Sequence, residues 1–171
     1  PTMRTIAEVT EGQLVGKGEG RIEHLVIDSR HASIQPDALF IAVVGPRHDG
    51  HRYITELYSR GLRHFMVSRP IDPGALPEAD LIQVPDTLQA LQRLAAWHRS
   101  QFKIPVIGIT GSNGKTIVKE WLFQLLRGEE RIVRSPGSWN SQVGVPLSVW
   151  QLGPEHTLAL FEAGISKPGE M

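Results

Sequence analysis

The residues Val106-Ile-Gly-Ile-Thr-Gly-Ser-Asn-Gly-Lys-Thr116 join an apolar strand pattern, a glycine-rich turn and the start of a helical pattern. Small residues in such a turn let backbone N–H groups close on phosphate oxygens. The lysine can reach the β- and γ-phosphates of a nucleotide, and the threonine hydroxyl can hold Mg²⁺. The helix start adds a partial positive charge. The stretch predicts a phosphate-binding loop formed by Gly111, Ser112, Asn113, Gly114, Lys115 and Thr116.

The glycine spacing of this loop departs from the standard pattern G-x-x-x-x-G-K-[ST]. Two residues separate Gly111 from Gly114, and five separate Gly108 from Gly114. The alternative is an ordinary glycine-rich turn between a strand and a helix. The Lys-Thr pair at the start of a helix, directly after an apolar strand, favours phosphate binding.

The second half of the chain alternates strand and helix patterns, which favours a parallel α/β sheet. Strands are predicted at 106–110, 131–134 and 158–161, and a helix at 116–127. The predicted apolar face of this helix consists of Val118, Trp121, Leu122, Leu125 and Leu126.

The first half is predicted to be a smaller, mixed α/β domain. Its strands are expected at 25–27, 39–44, 64–67 and 81–84. A short helix is predicted at 53–60, and residues 1–30 are expected to contain short β-like runs and turns. We place the domain boundary near Val84, which gives domains at 1–84 and 85–171. The fold class is therefore α/β, with a small mixed domain followed by part of a phosphate-loop domain built on a parallel sheet.

The composition limits the kinds of partner. The chain has 171 residues, a formal net charge of zero and no cysteine. Disulfides and cysteine metal sites are excluded, and the absence of a basic stripe predicts no nucleic-acid partner. No apolar run approaches the ~20 residues that span a bilayer, so we expect no membrane insertion. The lack of cysteine is compatible with the cytosol, and we expect a cytoplasmic location.

Glu162 ends the third predicted strand of the second domain. Ligands of open α/β sheets bind at the carboxyl ends of the strands, and hard cations such as Mg²⁺ prefer oxygen ligands. Next to a phosphate-binding loop, Glu162 is therefore a candidate metal ligand. A solvated or helix-capping glutamate is the alternative.

Three further polar segments are candidates for substrate contacts. Asp28-Ser-Arg30 could bind a sugar, a uracil or a phosphate, although Asp28 and Arg30 could instead pair with each other. His48-Asp-Gly-His51 is interpreted as a set of hydrogen-bonding groups rather than a metal site. Trp139-Asn140 could approach a substrate, or could be a buried tryptophan beside a turn asparagine.

Taken in order, these segments resemble the Mur ligase family of peptidoglycan synthesis. Residues 28–30, 36–42 and 45–51 are similar to the family's N-terminal nucleotide-sugar domain. Residues 110–116 look like the family's own variant of the phosphate loop, which accounts for the unusual glycine spacing. Glu162 with the residues up to Glu170 resembles the family's Mg²⁺-binding glutamate segment.

The resemblance implies an ATP-dependent, Mg²⁺-dependent ligase that phosphorylates a substrate carboxylate and then lets an amine displace the phosphate. Lys115 and Glu162 would be the catalytic residues, and Thr116 and Glu162 would hold the metal. The residues implied to contact the nucleotide-sugar substrate are Asp28, Ser29, Arg30, Pro46, Arg47, His48, Asn140 and Ser141. The family has two consecutive asparagines here, and this chain has Asn140 followed by Ser141, so Ser141 departs from the family pattern.

Within the family, Lys119-Glu120 and the segment 140–148 favour members that join D-alanyl-D-alanine to UDP-N-acetylmuramoyl-tripeptide. The implied parent protein is a monomer. The 171 residues are expected to be catalytically incomplete and to self-associate through an edge of the truncated sheet, left open at the third strand of the second domain or at whichever strand lies at the cut. The alternatives are another Mur or folylpolyglutamate-type ligase, a phosphate-loop kinase or NTPase, and a non-catalytic nucleotide-sugar-binding module.

Overall fold

The computed structural model describes residues 1–31, 35–45 and 48–164. The chain forms two compact units, 1–94 and 95–171. The division falls inside a helix, ten residues beyond the boundary that the sequence placed near Val84. The helices are α1 (Met3–Thr10), α2 (Ile54–Ser59), α3 (Thr87–Ser100), α4 (Lys115–Leu126) and α5 (Gly144–Trp150).

The first unit is built on a five-stranded sheet. Along the chain, the strands of this unit are β1 (Gln13–Val15), β2 (His24–Val26), β3 (Ala38–Ile41), β4 (Val44–Gly45), β5 (His48–Asp49), β6 (His64–Val67) and β7 (Asp80–Gln83). All except β4 and β5 belong to the five-stranded sheet. The spatial order is β1-β7-β6-β3-β2, and only the β1–β7 pair is antiparallel. Strands β4 and β5 form a separate two-stranded ribbon.

Two adjacent inner strands of this sheet are buried on both faces. Every residue of β3 and β6 is buried, as expected for parallel strands covered on both sides. The sequence predicted one continuous strand at 39–44, but β3 ends at Ile41 and Val44 is 43% exposed. Beyond β3, the backbone N–H of Gly50 donates to the carbonyl oxygen of Val43.

The expectation of β-like runs at the start of the chain is wrong for residues 3–10, which form α1. Thr2 caps this helix, since its hydroxyl oxygen accepts the backbone N–H of Thr5 over 3.2 Å. The helix buries one face, formed by Met3, Ile6, Ala7 and Thr10. The spacing of these residues is the i, i+3, i+4, i+7 pattern of an amphipathic helix.

The second unit contains a three-stranded parallel sheet, which confirms the predicted α/β class. Its strands are β8 (Val106–Ile109), β9 (Ile132–Arg134) and β10 (Leu158–Glu162). The spatial order is β8-β10-β9. Strand β10 is buried throughout and lies in the centre. Within the described part of the chain β8 and β9 are the edges of this sheet, so the third strand is not the open edge, and the expected self-association stays a prediction.

Helix α4 packs on this sheet with a face that the sequence predicted only in part, since Leu122 and Leu126 of the predicted apolar face are half-buried. Of its predicted apolar face, Val118, Trp121 and Leu125 are 45%, 67% and 77% exposed. The buried residue of the helix is Lys119. Among the described residues, no helix is both long enough and apolar enough to cross a membrane.

Candidate functional site

The carboxyl ends of the three parallel strands of the second unit bring the candidate residues together. Ile109 at the end of β8 is in register with Glu162 at the end of β10. The backbone N–H of Ser135, directly after β9, donates to the carbonyl oxygen of Leu160. The loop 110–114, the Glu162 carboxylate and the segment after β9 therefore meet at one edge of the sheet, where ligands of such sheets bind.

The loop 110–114 has the backbone of an anion-binding turn. Gly111 has φ +140° and Gly114 has φ +78°, a region that favours glycine. Gly114 is the N-cap of α4 and supplies no side-chain hydrogen bond to it, and the first turn of α4 contains no acidic residue. The N–H groups at the start of this helix are therefore available to an anion.

Lys115 and Thr116 begin α4, as the sequence predicted. The Lys115 Nζ donates to the carbonyl oxygen of Gly111 over 2.7 Å. The Thr116 hydroxyl donates to Oε2 of Glu162 over 3.1 Å. The loop lysine, the loop threonine and the acid thus share one edge of the sheet.

The oxygen atoms of Thr116 and Glu162 fit a magnesium ion. Adjacent oxygens of an octahedral Mg²⁺, each about 2.0–2.1 Å from the ion, are about 2.9 Å apart. The observed separation of 3.1 Å is close to that value. Glu162 is fully buried, and its Oε1 accepts no hydrogen bond of acceptable geometry.

Sequence reasoning gave Lys119 no place in this site. Lys119 is fully buried, and its Nζ lies 2.8 Å from Oε1 of Glu162. Because Oε1 accepts no well-aligned hydrogen bond, this contact is an ion pair. The Nζ also donates to the carbonyl oxygens of Ser135, over 2.7 Å, and of Gly137. One signal was available, since Lys119 lies three residues after Thr116 and therefore on the same side of the helix.

The segment after β9 contributes Asn140 and Ser141 near the same edge. The backbone N–H of Gly164, two residues after Glu162, donates to the carbonyl oxygen of Asn140 over 2.7 Å. The Ser141 hydroxyl oxygen accepts the N–H of Gly144, at the start of α5. Trp139 is 44% exposed, so the alternative of a buried tryptophan does not hold.

In the first unit, Asp28 and Arg30 pair with each other. Arg30 Nη2 lies 2.7 Å from Asp28 Oδ2, and Arg30 Nε donates to Oδ1 over 3.0 Å. The Arg30 side chain is otherwise exposed, whereas Ser29 is buried and its carbonyl oxygen accepts a hydrogen bond from Arg60. The candidates Pro46 and Arg47 lie outside the described residues.

Of the two histidines near β5, His51 acts as a hydrogen-bonding group, whereas His48 makes a ring contact. The ring of His48 stacks on Tyr53 at 5.7 Å between centroids. His51 contacts Asp49 Oδ1 through Nδ1 over 2.7 Å, and its Nε2 accepts the backbone N–H of Ser68. The hydrogen bond from His51 lowers the pKa of Asp49, with a smaller contribution from Arg69. Within the described residues no cluster of three His, Asp or Glu side chains could hold a metal ion.

Comparison with known proteins identifies the family. Residues 21–99 match the Mur ligase family, catalytic domain, and residues 109–171 match the Mur ligase middle domain. The chain belongs to the Mur ligase family.

Individual relatives are similar along almost the whole chain. The chain is 35% identical over 170 residues to the UDP-N-acetylmuramoyl-tripeptide–D-alanyl-D-alanine ligase of Buchnera aphidicola. This match covers 99% of this chain and 36% of that protein. A crystal structure of MurF from Acinetobacter baumannii superposes with a TM-score of 0.87 at 32% identity, over 98% of this chain and 36% of that one.

A third relative was solved with a nucleotide. The MurF ligase of Thermotoga maritima in complex with ADP has a TM-score of 0.74 at 29% identity, and the match covers 88% of this chain and 34% of that one. The chain therefore spans about a third of the length of the relatives that it matches.

Proposed function

We propose that the chain belongs to an ATP-dependent ligase that joins D-alanyl-D-alanine to UDP-N-acetylmuramoyl-tripeptide in peptidoglycan synthesis. The observation that carries the ATP-dependent part is the 3.1 Å contact between the Thr116 hydroxyl and Glu162 Oε2, directly behind a glycine-rich loop at a helix start. The choice of substrates is supported by the names of the relatives, which are similar along 99% of the chain.

The residues of the second unit have complementary roles in this proposal. Gly111, Ser112, Asn113 and Gly114 would surround the phosphates with backbone N–H groups, and Lys115 would turn from the Gly111 carbonyl to the β- and γ-phosphates. Thr116 and Glu162 would hold Mg²⁺, which supplies charge neutralisation when it is bound. Transfer of a phosphoryl group depends chiefly on such positioning and neutralisation.

The transfer would activate the carboxylate of the tripeptide as an acyl phosphate. The amine of D-alanyl-D-alanine then attacks the acyl carbon, and inorganic phosphate leaves. Lys115, once turned to the phosphates, would stabilise the charge that builds up on the phosphoryl oxygens. Asn140 and Ser141 are proposed to contact the substrate, supported by the 2.7 Å bond that ties Asn140 to Gly164 beyond Glu162.

We further propose that the first domain, placed at 1–84, binds the nucleotide-sugar end of the substrate. Asp28, Ser29, Arg30, Pro46, Arg47 and His48 are the proposed contacts. Arg30 supports this role, because its side chain is 81% exposed and keeps N–H donors beyond its pair with Asp28. The stack of His48 on Tyr53 presents a further flat polar ring.

Calorimetric titration of the chain with UDP-N-acetylmuramoyl-tripeptide, and separately with Mg-ATP, tests the proposal. We expect both ligands to bind. Arg30→Ala should weaken binding of the nucleotide-sugar and leave that of Mg-ATP unchanged, and Lys115→Met should do the reverse. Binding of Mg-ATP without any binding of the nucleotide-sugar would contradict the substrate assignment and favour a different phosphate-loop enzyme.

A further inference from the structure

Lys119 is a charged side chain buried in the second unit with no role in the chemistry described so far. It is 0% exposed, although an ammonium group is costly to bury unless its charge and N–H donors are matched. Replacing a buried ion pair by apolar residues is often neutral or even stabilising. Stability alone therefore gives little reason for a lysine at this position, and its contacts point to another role.

The two oxygens of Glu162 have different partners. Oε1 lies 2.8 Å from the Lys119 ammonium, and Oε2 accepts the Thr116 hydroxyl over 3.1 Å. The terminal torsion of a glutamate is broad and roughly two-fold, so a carboxylate without a fixed partner changes orientation readily. The ammonium fixes Oε1 and thereby keeps Oε2 beside Thr116.

The same ammonium also holds the backbone after β9. It donates to the carbonyl oxygens of Ser135 and Gly137. The Ser135 hydroxyl oxygen in turn accepts the backbone N–H of Glu162 over 3.0 Å. Lys119 therefore ties the phosphate-loop helix both to the segment after β9 and to Glu162 itself.

We propose that Lys119 is a positioning residue for the divalent cation that accompanies the nucleotide. It orients the Glu162 carboxylate so that Oε2 and the Thr116 hydroxyl lie side by side as ligands. This inference rests on the proposed function of the loop. An ammonium repels a divalent cation, so a Lys119 variant that only lost this repulsion would bind the metal more tightly. A variant in which the Glu162 carboxylate is no longer oriented binds the metal more weakly.

The test measures the affinity of the chain for ADP by calorimetry, once with EDTA and once with excess Mg²⁺. The ratio of the two dissociation constants is the metal-dependent gain. In Lys119→Met we expect this gain to fall about 10–100-fold, the usual effect of removing a group that orients a metal ligand. The affinity for metal-free ADP should stay within about twofold, because the loop backbone that binds the phosphates is unchanged. Lys103→Met, which makes the same replacement at an exposed position of the same unit, should change neither value.

A second readout follows the metal itself. Mn²⁺ bound with ADP should give a different electron paramagnetic resonance spectrum in Lys119→Met than in the wild type, since one protein oxygen is no longer held in place. If Lys119→Met does not fold, Lys119→Gln serves the same purpose, because its amide keeps N–H donors for the Ser135 and Gly137 carbonyls but has no charge.

The outcomes separate this inference from the proposed function. A wild-type chain that binds no ADP in either condition would overturn the function assigned to the loop, and this inference with it. If the metal-dependent gain of Lys119→Met equals or exceeds that of the wild type, the inference alone would be overturned. An equal loss of affinity with and without Mg²⁺ would show a purely structural lysine and would also overturn it.

Discussion

Thr116 donates a hydrogen bond to Glu162 although the two residues lie 46 positions apart in the sequence. The contact follows from strand order, because β10 lies directly beside β8 and Glu162 is in register with Ile109. The loop that leaves β8 therefore starts next to the acid that ends β10. A phosphate-binding turn and a metal-binding carboxylate are brought together by the topology of the sheet.

The backbone of the loop makes Gly114→Ala a test of its geometry. At φ +78° an added Cβ meets no atom within 4 Å, so the cost is conformational rather than steric. We expect a loss of about 1–2 kcal/mol in the free energy of unfolding, measured by urea denaturation. Gly128→Ala is the control, since that glycine also has open space but no positive φ. Equal stability of the two variants would contradict the left-handed conformation at Gly114.

The exposure of the α4 apolar residues predicts a contrast between two leucines. Leu160 in β10 is fully buried, whereas Leu125 in α4 is 77% exposed. Leu160→Ala should cost about 2–5 kcal/mol in the free energy of unfolding, and Leu125→Ala should change it by less than about 0.5 kcal/mol. Chemical denaturation of both variants checks this, and a large loss for Leu125→Ala would show that α4 packs differently.

Asp49 anchors the turn between β5 and α2. It accepts hydrogen bonds from His51 and from Arg69, and its side chain is only 17% exposed. Asp49→Asn should cost about 1–2 kcal/mol, because bonds to a charged acceptor are lost. Glu56→Gln, which removes an exposed i,i+4 pair with Arg60, should cost less than about 0.5 kcal/mol.

The contribution of Asp49 to the free energy of unfolding should fall at acid pH. The pKa of Asp49 is lowered in the folded chain, first by the hydrogen bond from His51. Its contribution to stability is therefore complete above the ordinary carboxyl pKa of about 3.9 and is lost as the pH falls through the lowered folded value. In Asp49→Asn the free energy of unfolding should decline less steeply in this acid range. An unchanged decline would show that the carboxylate is not paired.

His98 should make the stability of the second unit depend on pH in a different range. It packs between Phe102 and Trp150 and contacts the Leu152 carbonyl oxygen through Nε2 over 2.9 Å. Burial lowers the pKa of His98, opposed in part by that hydrogen bond. The unfolded chain then binds the proton more tightly, so stability falls as the pH drops from about 6.5 towards the folded pKa. Urea denaturation across this range should show a flatter profile for His98→Phe, and identical slopes would contradict the burial.

Much of the fold was predictable because its strands are short apolar runs bounded by turn residues. The strand predicted at 64–67 agrees with β6, and the predicted helix at 116–127 lies within one residue of α4. The first helix was also within reach, since Met3, Ile6, Ala7 and Thr10 repeat with helical spacing.

What the sequence could not supply depends on contacts between distant segments. A helical period identifies the apolar stripe of Trp121 and Leu125 but not whether another element covers it. The burial of Lys119 requires carbonyl oxygens 16 and 18 residues away and the carboxylate of Glu162. The pairing of Asp28 with Arg30 was left open as an alternative and is the arrangement that the structure has.

Lys115→Met tests whether the loop 110–116 binds nucleotide phosphates. The lysine is on the surface and donates to the Gly111 carbonyl oxygen, so its removal should change the free energy of unfolding by less than about 0.5 kcal/mol. A hydrogen bond to a charged group contributes about 1.5–3 kcal/mol, so the dissociation constant for Mg-ADP should rise about 10–100-fold. Calorimetric titration of Mg-ADP into the wild type, Lys115→Met and the control Lys103→Met measures this. Tight binding by the wild type and the control, with a large loss in Lys115→Met, is the expected result. Equal affinity in all three chains would contradict the assignment of the loop.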